Sequence, residues 1–169
     1  IINLEIAGLL QAATQARYPL KVGYLAEKLI AAGFKIGAYG NSDLRDEIAR
    51  WAALVAMDAA GQVAYGNVSP ELLLEDLSYP GGKKTNYALL LEEVVNSEVD
   101  VAVVDLGDPY RFSLQQRLFL SEQEEQLRRK IAADCWQFIR NLQASLPESK
   151  ILVLSPFSGD QRAKDGQWM

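Results

Sequence analysis

Asp105 and Asp108 lie in the second half of the stretch V-D-V-A-V-V-D-L-G-D-P-Y-R-F, which runs from Val99 to Phe112, with Arg111 three residues after the second aspartate. Carboxylates placed this way can hold a single hard divalent cation, with further oxygen ligands from outside the segment. A second polar group, Gly40-Asn41-Ser42-Asp43, and a third at Ser155 offer amide, hydroxyl and carboxylate oxygens. The candidate site residues are therefore Asn41, Asp43, Asp105, Asp108, Arg111 and Ser155. The chain has no histidine, so the commonest general base and the commonest transition-metal ligand are both missing from it.

These residues share a position as well as a chemistry. The valine-rich run before Asp105 has the composition of a buried parallel strand, and the Gly-Asp-Pro turn cannot continue it. Both aspartates thus fall at the carboxyl end of a strand, where open α/β sheets place their sites. A helix cap or a turn closure beside Pro109 is the alternative use for the same two carboxylates.

The remaining elements follow from spacing. The pattern gives a helix ending near Thr14, a break at Tyr18-Pro19, a helical stripe over Leu20 to Ala32 stopped by Gly33, and a strand over Phe34 to Tyr39. Asp46 to Trp51 reads as a helical turn, Ala52 to Met57 as a small apolar strand, and Leu54 to Val68 as a hairpin turning at Asp58-Ala59-Ala60-Gly61. Ser69-Pro70-Glu71 predicts the start of a short helix with serine as its cap. Leu77 to Lys84 is expected to be a loop, and Asn86 to Asn96 a helix with Tyr87, Leu90, Leu91, Val94 and Val95 on one face. Ser121 to Leu146 predicts the longest helix, with Ser121-x-x-Glu124 as a capping box and Pro147 as its stop, and Lys150 to Leu154 a second core strand. Helix and strand alternating with connections of this length imply right-handed crossovers and a mainly parallel sheet covered by helices on both faces.

Composition narrows the partners. With 169 residues, 49% of them hydrophobic, the chain is long enough for one well-buried α/β domain spanning all of it. Seventeen basic against 22 acidic residues leave a net charge of -5, and no basic cluster interrupts this, which disfavours nucleic acid. No apolar run reaches membrane-spanning length, so the segment reads as soluble, with compartment open between cytoplasm and export and with a small molecule or a protein as partner. The opening Ile1-Ile2-Asn3-Leu4-Glu5 begins mid-pattern and reads as part of a longer chain. Cys135, the only cysteine, sits on the apolar stripe of the long helix and reads as a packing thiol. Gly81-Gly82-Lys83-Lys84-Thr85 lacks the spacing of a phosphate-binding loop and reads as a turn before a helix. Glu122, Glu124 and Glu125 at helical spacing from Arg128-Arg129-Lys130 read as a solvated mixed face.

Leu25-Ala26-Glu27-Lys28-Leu29-Ile30-Ala31-Ala32-Gly33-Phe34-Lys35-Ile36-Gly37-Ala38-Tyr39-Gly40 resembles a stretch of the alkaline phosphatase, sulfatase and phosphoglycerate mutase superfamily, in which a helix L-x-E-x-L-x-x-A-G-Y leads to a strand ending in glycine. In sulfatases Lys-Trp-His follows, and its cations hold the substrate anion; here the positions are Asn41, Ser42 and Asp43. The superfamily's strand followed by Asp-x-x-Gly-His, whose aspartate and histidine bind metal, resembles the segment at Asp108-Pro109-Tyr110-Arg111-Phe112, with Phe112 at the histidine position. A third motif, Ser/Ala-Asp-His-Gly after a strand, matches Ser155-Pro156-Phe157-Ser158-Gly159, with Pro156 and Phe157 at the ligand positions. The match covers nearly the whole chain in order. With Tyr79-Pro80-Gly81-Gly82-Lys83-Lys84-Thr85-Asn86-Tyr87 and Asp105-Leu106-Gly107-Asp108, it is similar to a bacterial group of alkaline-phosphatase-like proteins.

The resemblance implies a three-layer α/β/α sandwich and makes Asp108 the candidate metal ligand. It implies two functions. One is a domain with a degenerate metal site, acting as a binding or structural module. The other is a metal-dependent phosphoester or sulfoester hydrolase, or a phosphomutase, that uses zinc, manganese or magnesium with ligands from outside this segment. Metal activation of water from a pKa of about 15.7 to about 7 is worth on the order of 12 kcal/mol, and no residue set visible in the sequence replaces it.

Overall fold

The computed structural model describes residues 1–18, 20–44 and 47–155. At its centre is strand β1 (Ile36–Tyr39), whose four residues are all buried. It pairs in parallel with β2 (Tyr65–Asn67) on one side and with β5 (Val101–Val104) on the other, Gly37 opposite Tyr65 and Ala102, and Tyr39 opposite Asn67 and Val104. Parallel neighbours need long crossovers, and these are α3 (Trp51–Ala56) between β1 and β2, and α4 (Tyr87–Val95) ahead of β5. A separate antiparallel pair, β3 (Leu73–Glu75) with β4 (Lys83–Thr85), stands between β2 and α4 in the chain.

Alternation along β1 divides the core. Ile36 and Ala38 pack with Ala26 of α2 (Tyr24–Ala31), with Ala52 and Ala56 of α3, and with Met57, Val63 and Val68, joined by Ile6 and Leu9 of α1 (Ile6–Gln15). Tyr39 packs on the opposite face with Leu90 and Val94 of α4 and with Phe138 and Leu142 of α6 (Ser121–Ser145). Tyr79, Phe112 and Ile131 form a third cluster that joins the β3–β4 connection, α5 (Asp108–Gln115) and α6. The fold is thus mixed α/β, a small parallel sheet with helices on both faces. No helix among the described residues is long and apolar enough to cross a membrane.

Several expectations need correction. The stretch read as the strand Ala52 to Met57 is α3; alanine is the best helix former, and Ala52 and Ala56, four apart, are its buried positions. The hairpin from Leu54 to Val68 is absent, because Tyr65–Asn67 pairs with β1 and the turn at Asp58 is closed locally, its carboxylate accepting from Ala60 N and Gln62 N at 2.9 Å each. Ser69 caps no helix with its side chain: a single 3₁₀ turn, Pro70–Leu72, passes straight into β3. Leu77 to Lys84, read as a loop, contains the 3₁₀ turn Pro80–Gly82 and the start of β4. The cap of α6 lies one residue earlier than the box at Ser121, with Gln123 Oε1 accepting from Leu120 N at 3.4 Å. Lys150 to Leu154 forms no strand; Leu152 is 80% exposed and Leu154 74%, while Ile151 alone packs against the core. An apolar run records β propensity, but pairing makes a strand, and this segment pairs with nothing in the described chain. The helical turn expected over Asp46 to Trp51 is not formed at Glu47 to Arg50, where Glu47 bridges back to Leu44 and the helix begins only at Trp51; its Asp46, with Pro156 and Phe157 of the third motif, lies outside the described residues.

Glycine placement gives two opposite expectations. Gly40 has φ +82°, and a Cβ on it would lie 2.1 Å from the carbonyl oxygen of Asp105, so the ends of β1 and β5 touch only because the side chain is missing. Gly8 lies exposed inside α1 with nothing within 4 Å of a built Cβ. Gly40→Ala is expected to destabilise by more than about 3 kcal/mol, from strain and backbone overlap. Gly8→Ala is expected to stabilise by about 0.5–1 kcal/mol. Urea unfolding of both variants against the parent measures both signs.

Candidate functional site

The carboxyl ends of the three parallel strands converge, and the loops that leave them carry the polar residues. Gly40 N donates to Asn67 O at 2.9 Å and Asp105 N to Tyr39 O at 2.8 Å, which extends the pairing past β1 on both sides. Asn41, 1% exposed, then binds the loop after β2, its Nδ2 donating to Ser69 O at 2.8 Å and Val68 O at 3.3 Å. Its Oδ1 accepts from Asp43 N at 3.2 Å, a local turn of the kind that asparagine favours.

Ser42 and Asp105 meet next. The serine is fully buried, and its hydroxyl lies 2.9 and 2.8 Å from the two oxygens of Asp105. Gly107 N donates to the same carboxylate at 3.0 Å, and the backbone of Trp51 at the start of α3 contributes another hydrogen bond. Burial pushes the Asp105 carboxyl above its ordinary value of 3.8, and the bonds from Ser42, Gly107 and Trp51 and the charge of Arg111 oppose that rise without cancelling it. Asp43 serves the neighbouring loop, accepting from Ala49 N at 2.9 Å and pairing with Arg50 at 3.2 Å.

Asp108 stands in the first turn of α5 and is 0% exposed, as is Arg111 one turn later. Its Oδ1 accepts from Arg111 Nη2 at 2.6 Å, from Thr85 N at 3.0 Å and from Thr85 Oγ1 at 3.3 Å. Its Oδ2 accepts from the Tyr87 hydroxyl at 2.8 Å. The guanidinium also donates to Asn41 O at 3.0 Å and to Thr85 Oγ1 at 2.6 Å. Arg111 thereby joins the loop after β1, the end of β4 and the start of α5. Burial, with the negative charge of Asp108 beside it, pushes the Tyr87 phenol well above the ordinary tyrosine range and keeps it a neutral donor.

Five of the six candidate residues are therefore brought together: Asn41, Asp43, Asp105, Asp108 and Arg111. Ser155 is exposed in the segment that follows α6. Three participants, Ser42, Thr85 and Tyr87, were not among the candidates. Ser42 lies inside the turn already singled out; Thr85 and Tyr87 lie in the stretch Tyr79 to Tyr87 that carries part of the resemblance, but on a hairpin and on the apolar face of α4, where no spacing marks them as partners of Asp108. Cys135 is half-buried, 3.4 Å from the Tyr87 hydroxyl, and burial raises its thiol above the ordinary value, which makes it a poor nucleophile. Lys83 and Lys84 of the glycine-lysine turn are ion-paired with Glu75 and, at 2.9 Å, with Asp134. Arg128 and Arg129 pair with Glu124 and Glu125 along the outside of α6. Among the described residues no group of three or more Asp, Glu, His or Cys side chains is arranged to hold a metal ion.

The direction of the Asp105 shift sets a pH dependence. A carboxyl whose folded-state pKa is raised binds its proton more tightly when folded, so its favourable contribution is complete below 3.8 and is lost as the pH rises through the elevated value. The stability of the parent relative to Asp105→Asn is expected to fall across that window and stay level above it. Urea unfolding of both proteins over a pH series measures the difference; a difference that grows with pH would contradict the assignment. Compared with protein-family models, curated proteins and solved structures, the chain matches none, and its site is defined by this geometry alone.

Proposed function

We propose that this chain is a binding or structural module, an alkaline-phosphatase-like α/β domain whose metal chemistry at the carboxyl edge of the sheet has been replaced by an internal ion pair. The observation that supports this reading is the state of Asp108. Both its oxygens are engaged by protein donors, one of them a guanidinium at 2.6 Å, and neither side chain of the pair reaches solvent. A divalent cation at Asp108 would have to displace Arg111 and leave that charge buried without its partner, a loss of about 3–5 kcal/mol. The donor set therefore does not fit zinc, manganese or magnesium. Ser42 fits a nucleophile no better: it is 0% exposed, and its hydroxyl is directed at Asp105.

Elemental analysis of the purified protein and calorimetric titration with zinc, manganese and magnesium test this. The expected result is no stoichiometric metal and no saturable heat from any of the three. Stoichiometric binding that Asp108→Asn abolishes would contradict the reading and restore a metal-dependent phosphoester or sulfoester hydrolase.

A further inference from the structure

The surface formed by α2 and the turn before it differs in charge from the rest of the chain. Between Glu5 and Asp43 the sequence has one acidic residue, Glu27, against Arg17, Lys21, Lys28 and Lys35, although the whole chain carries 22 acidic residues and a net charge of -5. A charge asymmetry of this kind marks a surface that meets a partner of opposite sign. Lys21 pairs with Glu27 at 2.5 Å and Lys35 with Glu98 at 3.8 Å. Arg17 and Lys28 have no ion-pair partner among the described residues.

The same surface is apolar, which is a second and independent property. Tyr18, Leu20, Tyr24 and Leu25 are 68%, 65%, 54% and 48% exposed. In α2 the buried Ala26 and the half-buried Leu29 face the core, so Tyr24 and Lys28 fall on the opposite side of the helix, with Leu25 at their flank. The ammonium groups of Lys21 and Lys28 lie 5.7 and 5.4 Å from the centre of the Tyr24 ring, and the Arg17 guanidinium 5.6 Å from that of Tyr18. Cations that are scattered in the sequence are thus gathered around exposed tyrosines.

We propose that this surface docks the protein peripherally on an anionic lipid bilayer. Its three kinds of side chain match the three layers of such a surface. The cations meet the headgroup phosphates and carboxylates, the tyrosine rings sit at headgroup level, and Leu20 and Leu25 enter the boundary of the acyl chains. A nucleic acid would take the cations and the rings but leave both leucines in water. Apolar insertion and electrostatic attraction are each marginal alone, and docking needs both. The protein lies on the bilayer without crossing it. None of these residues belongs to the bonded network around Asp108, so docking does not depend on whether that network is inert.

Co-sedimentation with phosphatidylcholine vesicles, with and without phosphatidylserine, tests this on the parent, on Lys21→Gln combined with Lys28→Gln, and on Tyr24→Ser combined with Leu25→Ser. The expected result is binding to the serine-containing vesicles that weakens with salt, and little to phosphatidylcholine alone. Each double variant should bind at least about tenfold more weakly. All four side chains are exposed, and thermal melting checks the fold; should a variant fail to melt cooperatively, the lipid and salt dependence of the parent decides. No binding by the parent, equal binding to both kinds of vesicle, or full binding by the folded variants would overturn the proposal. So would a dimer, seen by sedimentation equilibrium, that the Tyr24→Ser and Leu25→Ser variant dissociates, because a second copy would then cover this surface.

Discussion

The buried pair of Asp108 and Arg111 is the constraint around which the carboxyl edge of this sheet is arranged. Two opposite charges taken wholly out of water are tolerated only when their geometry is good and their remaining hydrogen-bonding capacity is used. Here the carboxylate accepts from a guanidinium, an amide, a threonine hydroxyl and a phenol, and the guanidinium reaches the backbone of the loop after β1 as well, leaving only its buried Nε without a partner among the described residues. The partners come from α5 itself, from Thr85 at the end of β4, from Tyr87 at the start of α4 and from Asn41 after β1, so accommodating one pair of charges ties together the places where β1, β4, α4 and α5 end or begin. Gly107 makes this possible: its φ is +70°, and a Cβ on it would fall 2.2 Å from Asn41 O and 2.7 Å from the Arg111 nitrogens. Only glycine leaves room for the arginine to lie beneath the turn.

Asp105 shows how differently a neighbouring carboxylate can be treated. It has no basic side chain bonded to it, only a serine hydroxyl and backbone amides, and burial prevails over them. It ties the end of β5 to the loop after β1 and to the start of α3, through hydrogen bonds whose strength depends on its own protonation. Asp108 is locked by charge, Asp105 by neutral donors, and Asp43 lies further out in a partly solvated pair with Arg50. The potential of the edge is thus compensated from within, residue by residue. At the last turn of α4, by contrast, Glu92 and Glu93 have no ion-pair partner among the described residues.

The sequence was legible where a single local signal decided the outcome. The valine run before Asp105 did become a parallel strand beside β1, Asn86 caps α4 by accepting from Leu89 N at 3.2 Å, and the heptad-like stripe after Leu120 became α6. It misled where two signals had equal weight. Ala52 to Met57 fits a short strand or a short helix, and alanine's helix preference together with burial against β1 settled it; Lys150 to Leu154 has strand composition but finds no partner in the described chain. The location of the candidate site followed from topology alone, since strand ends in a parallel sheet point the same way. Its internal saturation could not be read, because Thr85 and Tyr87 reach Asp108 from a hairpin that the sequence presented as a loop and from a helix face that looked wholly apolar.

A double-mutant cycle on Asp108→Asn and Arg111→Met, read by urea unfolding, tests the central role of the buried pair most directly. The account predicts that each single change costs about 3–5 kcal/mol, because each leaves a buried group without its partner. It also predicts that the double change costs less than the sum by at least about 2 kcal/mol. Single changes that are each nearly neutral, or costs that simply add, would mean that the two charges do not hold each other in place and that this edge of the sheet is organised by something else.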